Sequence, residues 1–136
     1  MVIQHMATDT QTPDEIESTL SSIKKMLVVG GLFAAVGYLL ILGALFLELT
    51  QFHPLLESFF AEFTNHSLAG GGPERASAAL NQQLATIHKF PSTLLWMKLG
   101  GIGHILVGIF LALAAIIRAL SLMPVRLGYE LTKADA

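Results

Sequence analysis

The residue whose type and setting could do chemistry is His104, an imidazole inside the apolar run from Leu94 to Leu120. A titratable side chain at membrane depth is costly, and marks a functional site by default. Neutral imidazole ligates haem iron or the magnesium of a chlorophyll. Gly100 lies four residues before His104 and Gly108 four after, with Ala112 and Ala115 continuing the line. Small residues flanking an inward histidine leave room for a flat macrocycle, so Gly100, His104 and Gly108 form the candidate cofactor site. Three other roles fit the same residue: a hydrogen bond to a neighbouring helix, a reach to the interface, or service to a quinone or a proton relay. A haem held by two histidines would need its second ligand from another chain, because the two apolar runs contain no other histidine.

The glycine four positions ahead of His104 is similar to the pattern by which bacterial antenna polypeptides make room for bacteriochlorophyll. The resemblance covers these two residues, and what it implies is ligation of a pigment by His104. Elsewhere the chemical signals are sparse. His53 and Glu57 stand four apart, and imidazole with carboxylate can bind zinc or copper, yet Pro54 separates them and the spacing matches no metal motif. We read His53, His66 and His88 as solvated or interface residues and assign no metal. No GxSxG elbow supports a serine nucleophile, and the glycines before Pro73 lack the lysine and strand context of a phosphate loop. The absence of cysteine removes thiolate metal sites, iron–sulfur clusters, disulfides and cysteine nucleophiles.

Two elements position His104 and its surroundings. From Met26 to Leu47 there are 22 residues without a charge. As a helix they extend about 33 Å, against a hydrocarbon core of roughly 30 Å. The second run, from Leu94, opens with Trp96 and Lys98 and closes near Arg118, side chains suited to an interface or to snorkelling. The whole chain of 136 residues is 53% hydrophobic and 13% charged, about half the charge of a soluble domain, which points to lipid as solvent. A net charge of −2 offers no field for nucleic acid, and none is expected as a partner. Roughly 46 residues separate the two runs, too few for a domain with its own core, so a non-enzymatic protein is expected.

These features predict an all-α integral membrane protein: a two-transmembrane-helix hairpin, an N-terminal juxtamembrane helix, and one or two short amphipathic helices in the connecting segment. The expected divisions are a flexible tail over 1–12, a juxtamembrane helix over 13–25, and spans over 26–49 and 94–122. A connection occupies 50–93 and a cytoplasmic tail 123–136. Thr12, Pro13 and Glu15 form a helix-start signature of the capping-box kind. Pro54 is expected to break or kink a helix, Phe90-Pro91-Ser92-Thr93 to stop one, and Pro124 to bar continuation of the second run. Ser67 to Gly72 reads as a loop, and Pro73 with Glu74 as the start of the next helix.

The first run carries Gly30, Ala34, Gly37 and Ala44 on one face, a small-xxx-small pattern that lets another helix approach closely. Tyr38, near mid-span, needs a hydrogen-bond partner. Around and after Pro54, Phe52, Leu55, Leu56, Phe59, Phe60 and Phe63 fall on a helical stripe with acidic residues beside it. An interfacial helix usually carries cations on its polar face, so this stripe is expected to dock on a protein partner. Lys24, Lys25, Arg118, Arg126 and Lys133 outnumber Arg75, Lys89 and Lys98 of the connection, which places both termini in the cytoplasm. The expected function is that of a small accessory subunit in a larger membrane complex, energy-transducing or oxidase, packed by its small-residue faces. Its partners would be other membrane subunits in a hetero-oligomer, together with bound lipids. A haem- or pigment-binding subunit is the second expectation, and a homo-oligomeric channel or transporter the third.

Overall fold

The computed structural model describes residues 11–63, 65–68 and 77–136. The N-terminal tail through Thr10, the loop glycines and the helix-opening Pro73 and Glu74 lie outside these residues. The described residues are almost all helical, and none of them forms a strand. Helix α1 runs over Pro13–Leu47 and passes into a π-helical turn at Glu48–Phe52; α2 (His53–Glu62), α3 (Asn65–Leu68) and α4 (Ala78–Ala134) follow.

The start of α1 is set locally. The Thr12 amide donates to the Glu15 carboxylate at 2.7 Å, and the Glu15 amide donates to Thr12 Oγ1 at 3.4 Å. This reciprocal pair satisfies two donors that a helix leaves open at its first turn. Thr12→Ala should cost about 1 kcal/mol of local stability, read as faster amide exchange in the first turn of α1 while the middle of the helix stays protected. Ser77 caps α4 in the same way, accepting from the Leu80 amide on its side-chain oxygen.

Where the sequence predicts breaks, the helices continue. No boundary separates a juxtamembrane helix from the first apolar run, since both belong to α1. At Pro54 the chain is helical on both sides, because the π turn prepares for the proline. The His53 amide bonds to the Glu48 carbonyl, five residues back, and Pro54 has no amide to place. The wider turn also relieves the clash between the pyrrolidine ring and the carbonyl four residues earlier. Thr50 Oγ1 donates to the Phe46 carbonyl at 2.7 Å, a local bond that often accompanies a helix bend. Pro91 and Pro124 both lie inside α4. Each removes one backbone donor, a cost of about 3 kcal/mol that a long helix absorbs through the intact bonds on either side.

Burial in the long helices follows a seven-residue period. In α1 the buried residues are Ile16, Ile23, Gly30, Gly37 and Ala44. In α4 they are Leu80, Ile87, Leu94, Gly101, Gly108, Ala115 and Leu122, with Leu84 the one addition. A strict heptad keeps one seam of a helix on one partner.

The chain divides into two compact units. In the first, formed by residues 1–34 and 106–136, α1 and α4 pack antiparallel. A methyl group placed on Gly108 would stand 2.5 Å from the Gly30 carbonyl oxygen, and one on Gly30 would stand 3.2 Å from Leu111 Cβ. That register sets Ile23 opposite Ala115 and Ile16 opposite Leu122. Arg118 joins it from the flank, donating to Ser22 Oγ at 3.1 Å and approaching Met26 sulfur at 3.5 Å.

The second unit, residues 35–105, repeats the arrangement. A methyl group on Gly37 would collide with the Gly101 carbonyl oxygen and stand 2.7 Å from Ile105 Cγ1. One on Gly101 would stand 2.6 Å from Ile41 Cγ1. The same register puts Ala44 opposite Leu94. Farther out, Phe59, Phe63, Leu80, Leu84 and Ile87 form a small apolar core, with Phe52, Leu55, Leu56 and Leu68 packed against it.

Candidate functional site

His104 belongs to the second unit and stands half-buried beside the seam. Its Nδ1 lies 2.7 Å from the Gly100 carbonyl oxygen. A carbonyl can only accept, so Nδ1 is the donor in this bond. A backbone carbonyl that accepts from one ring nitrogen is a common means of orienting an imidazole, in ligating histidines among others. The bond also fixes the ring plane relative to α4.

The three residues of the expected cofactor site do not share one environment. A methyl group added to Gly100 meets nothing within 4 Å, so the space beside it is open. Gly108 is buried against Gly30 and Ala34 of α1, and its missing side chain is already used by helix packing. Ala112 is half-buried on the same side, next to the seam, and Ala115 is fully buried in it. A seven-residue seam selects Gly101 and Gly108, whereas a spacing of four on either side of His104 selects Gly100 and Gly108.

The residues read as partner-packing surface likewise separate. Gly30, Gly37 and Ala44 are buried within the chain, and Ala34 is half-buried against Gly108. Phe59 and Phe63 are enclosed by Leu80, Leu84 and Ile87, so that part of the stripe folds onto the N-terminal part of α4. Phe52 stacks on Phe90 with ring centroids 5.5 Å apart, and Leu56 is half-buried. Phe60 remains 44% exposed and is the aromatic of that stripe directed away from the small core. Tyr38 also points outward.

Sequence reading missed Gly101, the closest contact of Gly37, although Gly101 and Gly108 stand seven apart as Gly30 and Gly37 do. It also missed the ion pair between Lys98 Nζ and the Glu48 carboxylate, 2.7 Å long, which joins the ends of the two apolar runs. Opposite charges at those two ends were visible, but their pairing depends on the register. Among the described residues no three histidine, aspartate or glutamate side chains converge as a metal site would require.

Outside the seam, both long helices present apolar side chains. Leu32, Val36, Leu39, Leu42 and Phe46 of α1 are exposed, as are Ile102, Leu106, Phe110, Leu113 and Ile117 of α4. Of the most apolar stretch in each helix only 11% and 17% is buried. The core helix of a soluble protein would be mostly enclosed. These two helices are long and apolar enough to cross a membrane, and their side chains face outward along that length. Comparison of the chain with protein-family models, curated proteins and solved structures gives no match.

Proposed function

We propose that the chain is a small, non-catalytic accessory subunit of a larger membrane complex, crossing the bilayer twice with both termini in the cytoplasm. The observation that carries this reading is the division of surfaces. The small-residue seam is consumed inside the chain, whereas the exposed faces of both long helices are broad, apolar and without a concentration of polar groups. A pore or a catalytic centre needs converging polar side chains, whereas lipid and neighbouring apolar helices do not. The chain serves as a preassembled helix pair that neighbouring subunits pack against.

Purification of the native complex under mild detergent, with identification of its other polypeptides, tests the proposal. Co-purifying membrane subunits at fixed stoichiometry are expected. A closed assembly of this chain alone, by mass in detergent, would replace the accessory role with a homo-oligomeric channel or transporter.

One observation favours a second reading, in which His104 is the axial ligand of a haem or a chlorophyll-type pigment. The Nδ1 bond to Gly100 orients the imidazole as ligation needs, and the space beside Gly100 is open. If so, His104→Ala should abolish a Soret or Qy band in the spectrum of the native complex. An unchanged spectrum would sink the ligation.

A further inference from the structure

The seven-residue seam fails at one place in the second unit, and a cavity opens there. Beyond the Ala44–Leu94 layer the π-helical turn advances the chain by one residue. Gln51 is left exposed, and Phe52 comes in to stack on Phe90. The cavity, about 430 Å³, lies between the π turn and α4. Its apolar end is formed by Leu47 and Leu94, the last and first residues of the two apolar runs. Lys89 and Thr86 line it about one and two turns farther from the apolar run, with Thr93 and Gln51 between.

The polar groups are not equivalent. Thr86 Oγ1 donates to the Gln82 carbonyl and Thr93 Oγ1 to the Lys89 carbonyl, each at 3.2 Å. A hydroxyl has a single hydrogen, so both threonines offer the cavity lone pairs only. The Lys89 ammonium and the Gln51 amide supply the donors. The cavity thus combines a cation, neutral donors, two hydroxyl acceptors and an apolar mouth at the level where both apolar runs end.

We propose that this cavity binds an anionic phospholipid whose headgroup carries free hydroxyls, of the phosphatidylglycerol type. The phosphate sits on Lys89 and Gln51, the glycerol hydroxyls donate to Thr86 and Thr93, and the first methylenes run along Leu47 and Leu94. A choline headgroup has no hydrogen to give the threonines. An ethanolamine headgroup has N–H donors to give but brings a second cation toward Lys89. The inference rests on the membrane reading above.

The test uses the full chain in detergent, titrated with phosphatidylglycerol and with phosphatidylcholine of the same acyl chains, and counts retained lipids by intact-mass measurement. Phosphatidylglycerol should be retained about tenfold better, the difference expected from the two hydroxyl hydrogen bonds to the threonines and from the net negative charge that it alone presents to Lys89. Lys89→Gln should lower retention of both lipids and narrow the preference, and Thr86→Val with Thr93→Val, which keeps shape, should erase most of it. Helix content by circular dichroism separates binding from folding in each variant. Equal retention of the two lipids, retention unchanged by Lys89→Gln, or a preference that survives the paired threonine substitutions overturns the site. Displacement of the lipid by soluble glycerol phosphate at matched concentration overturns the lipid assignment in favour of a soluble phosphoester. Flotation with phosphatidylcholine vesicles is run in parallel. A chain that does not float overturns the membrane reading and the inference together, and one that floats without headgroup preference overturns the inference alone.

Discussion

Gly37→Leu is expected to separate α1 from α4 in the second unit. The glycine sits where a single added carbon already meets the Gly101 carbonyl oxygen and Ile105. Backbone is on the other side of the contact, so no flexible side chain can give way, and the helices must move apart. Overpacking of this kind costs on the order of 3 kcal/mol. Lipid offers little compensation, because helix association in a membrane depends on close van der Waals contact rather than on expulsion of water. Gly31→Leu is the control: a carbon added at Gly31 meets nothing within 4 Å, and its effect should stay within about 0.5 kcal/mol. The chain has no cysteine, which makes the readout direct. A disulfide between Ala44→Cys and Leu94→Cys should form in the otherwise unaltered chain and with Gly31→Leu, and should fail with Gly37→Leu. Retention of the cross-link in that last variant would contradict the seam.

The second large effect is expected at Phe59. Its ring is fully buried among Phe63, Leu80, Leu84 and Ile87, and Phe59→Ala removes it from a core with few other members. A buried phenylalanine cut to alanine costs about 3–5 kcal/mol, which this small cluster cannot spread over other contacts. Hydrogen exchange should become fast across α2 and the first turns of α4, while the glycine-paired stretches stay protected. Phe60→Ala, next in sequence but exposed, should leave that pattern intact. Equal exchange in the two variants would show that the small core does not hold this segment.

The contrast between these neighbours indicates what the sequence made legible. Length and charge identified two helices able to cross a membrane, since twenty-two uncharged residues followed by Glu48 leave few alternatives. The Thr12–Glu15 cap was legible because it is decided within four residues. The apolar stripe from Phe52 to Phe63 was legible as helix but not as to its partner. Its periodicity specifies a face and says nothing about what covers it.

The prolines misled for a related reason. Pro54 would break an ordinary helix, and only the π turn before it, a backbone rearrangement without a residue signature, lets the chain continue. The seam was half legible. In a soluble helix, alternation of apolar and polar residues reveals the buried side, but in these runs every side is apolar. Only the placement of glycine carries the phase. In α1 the phase is carried by Gly30 and Gly37, and in α4 by Gly101 and Gly108, with Gly100 beside them facing open space.

The four glycines Gly30, Gly37, Gly101 and Gly108 hold the helices together by what they lack. A scan that shortens each side chain to alanine has nothing to remove at these positions. At Gly37 alanine is an addition, and at Ala44 and Ala115 the scan changes nothing. Such a scan would score these close helix contacts as silent or unaccountably harmful. Enlargement is the informative experiment here, because the recognition is written in omitted atoms.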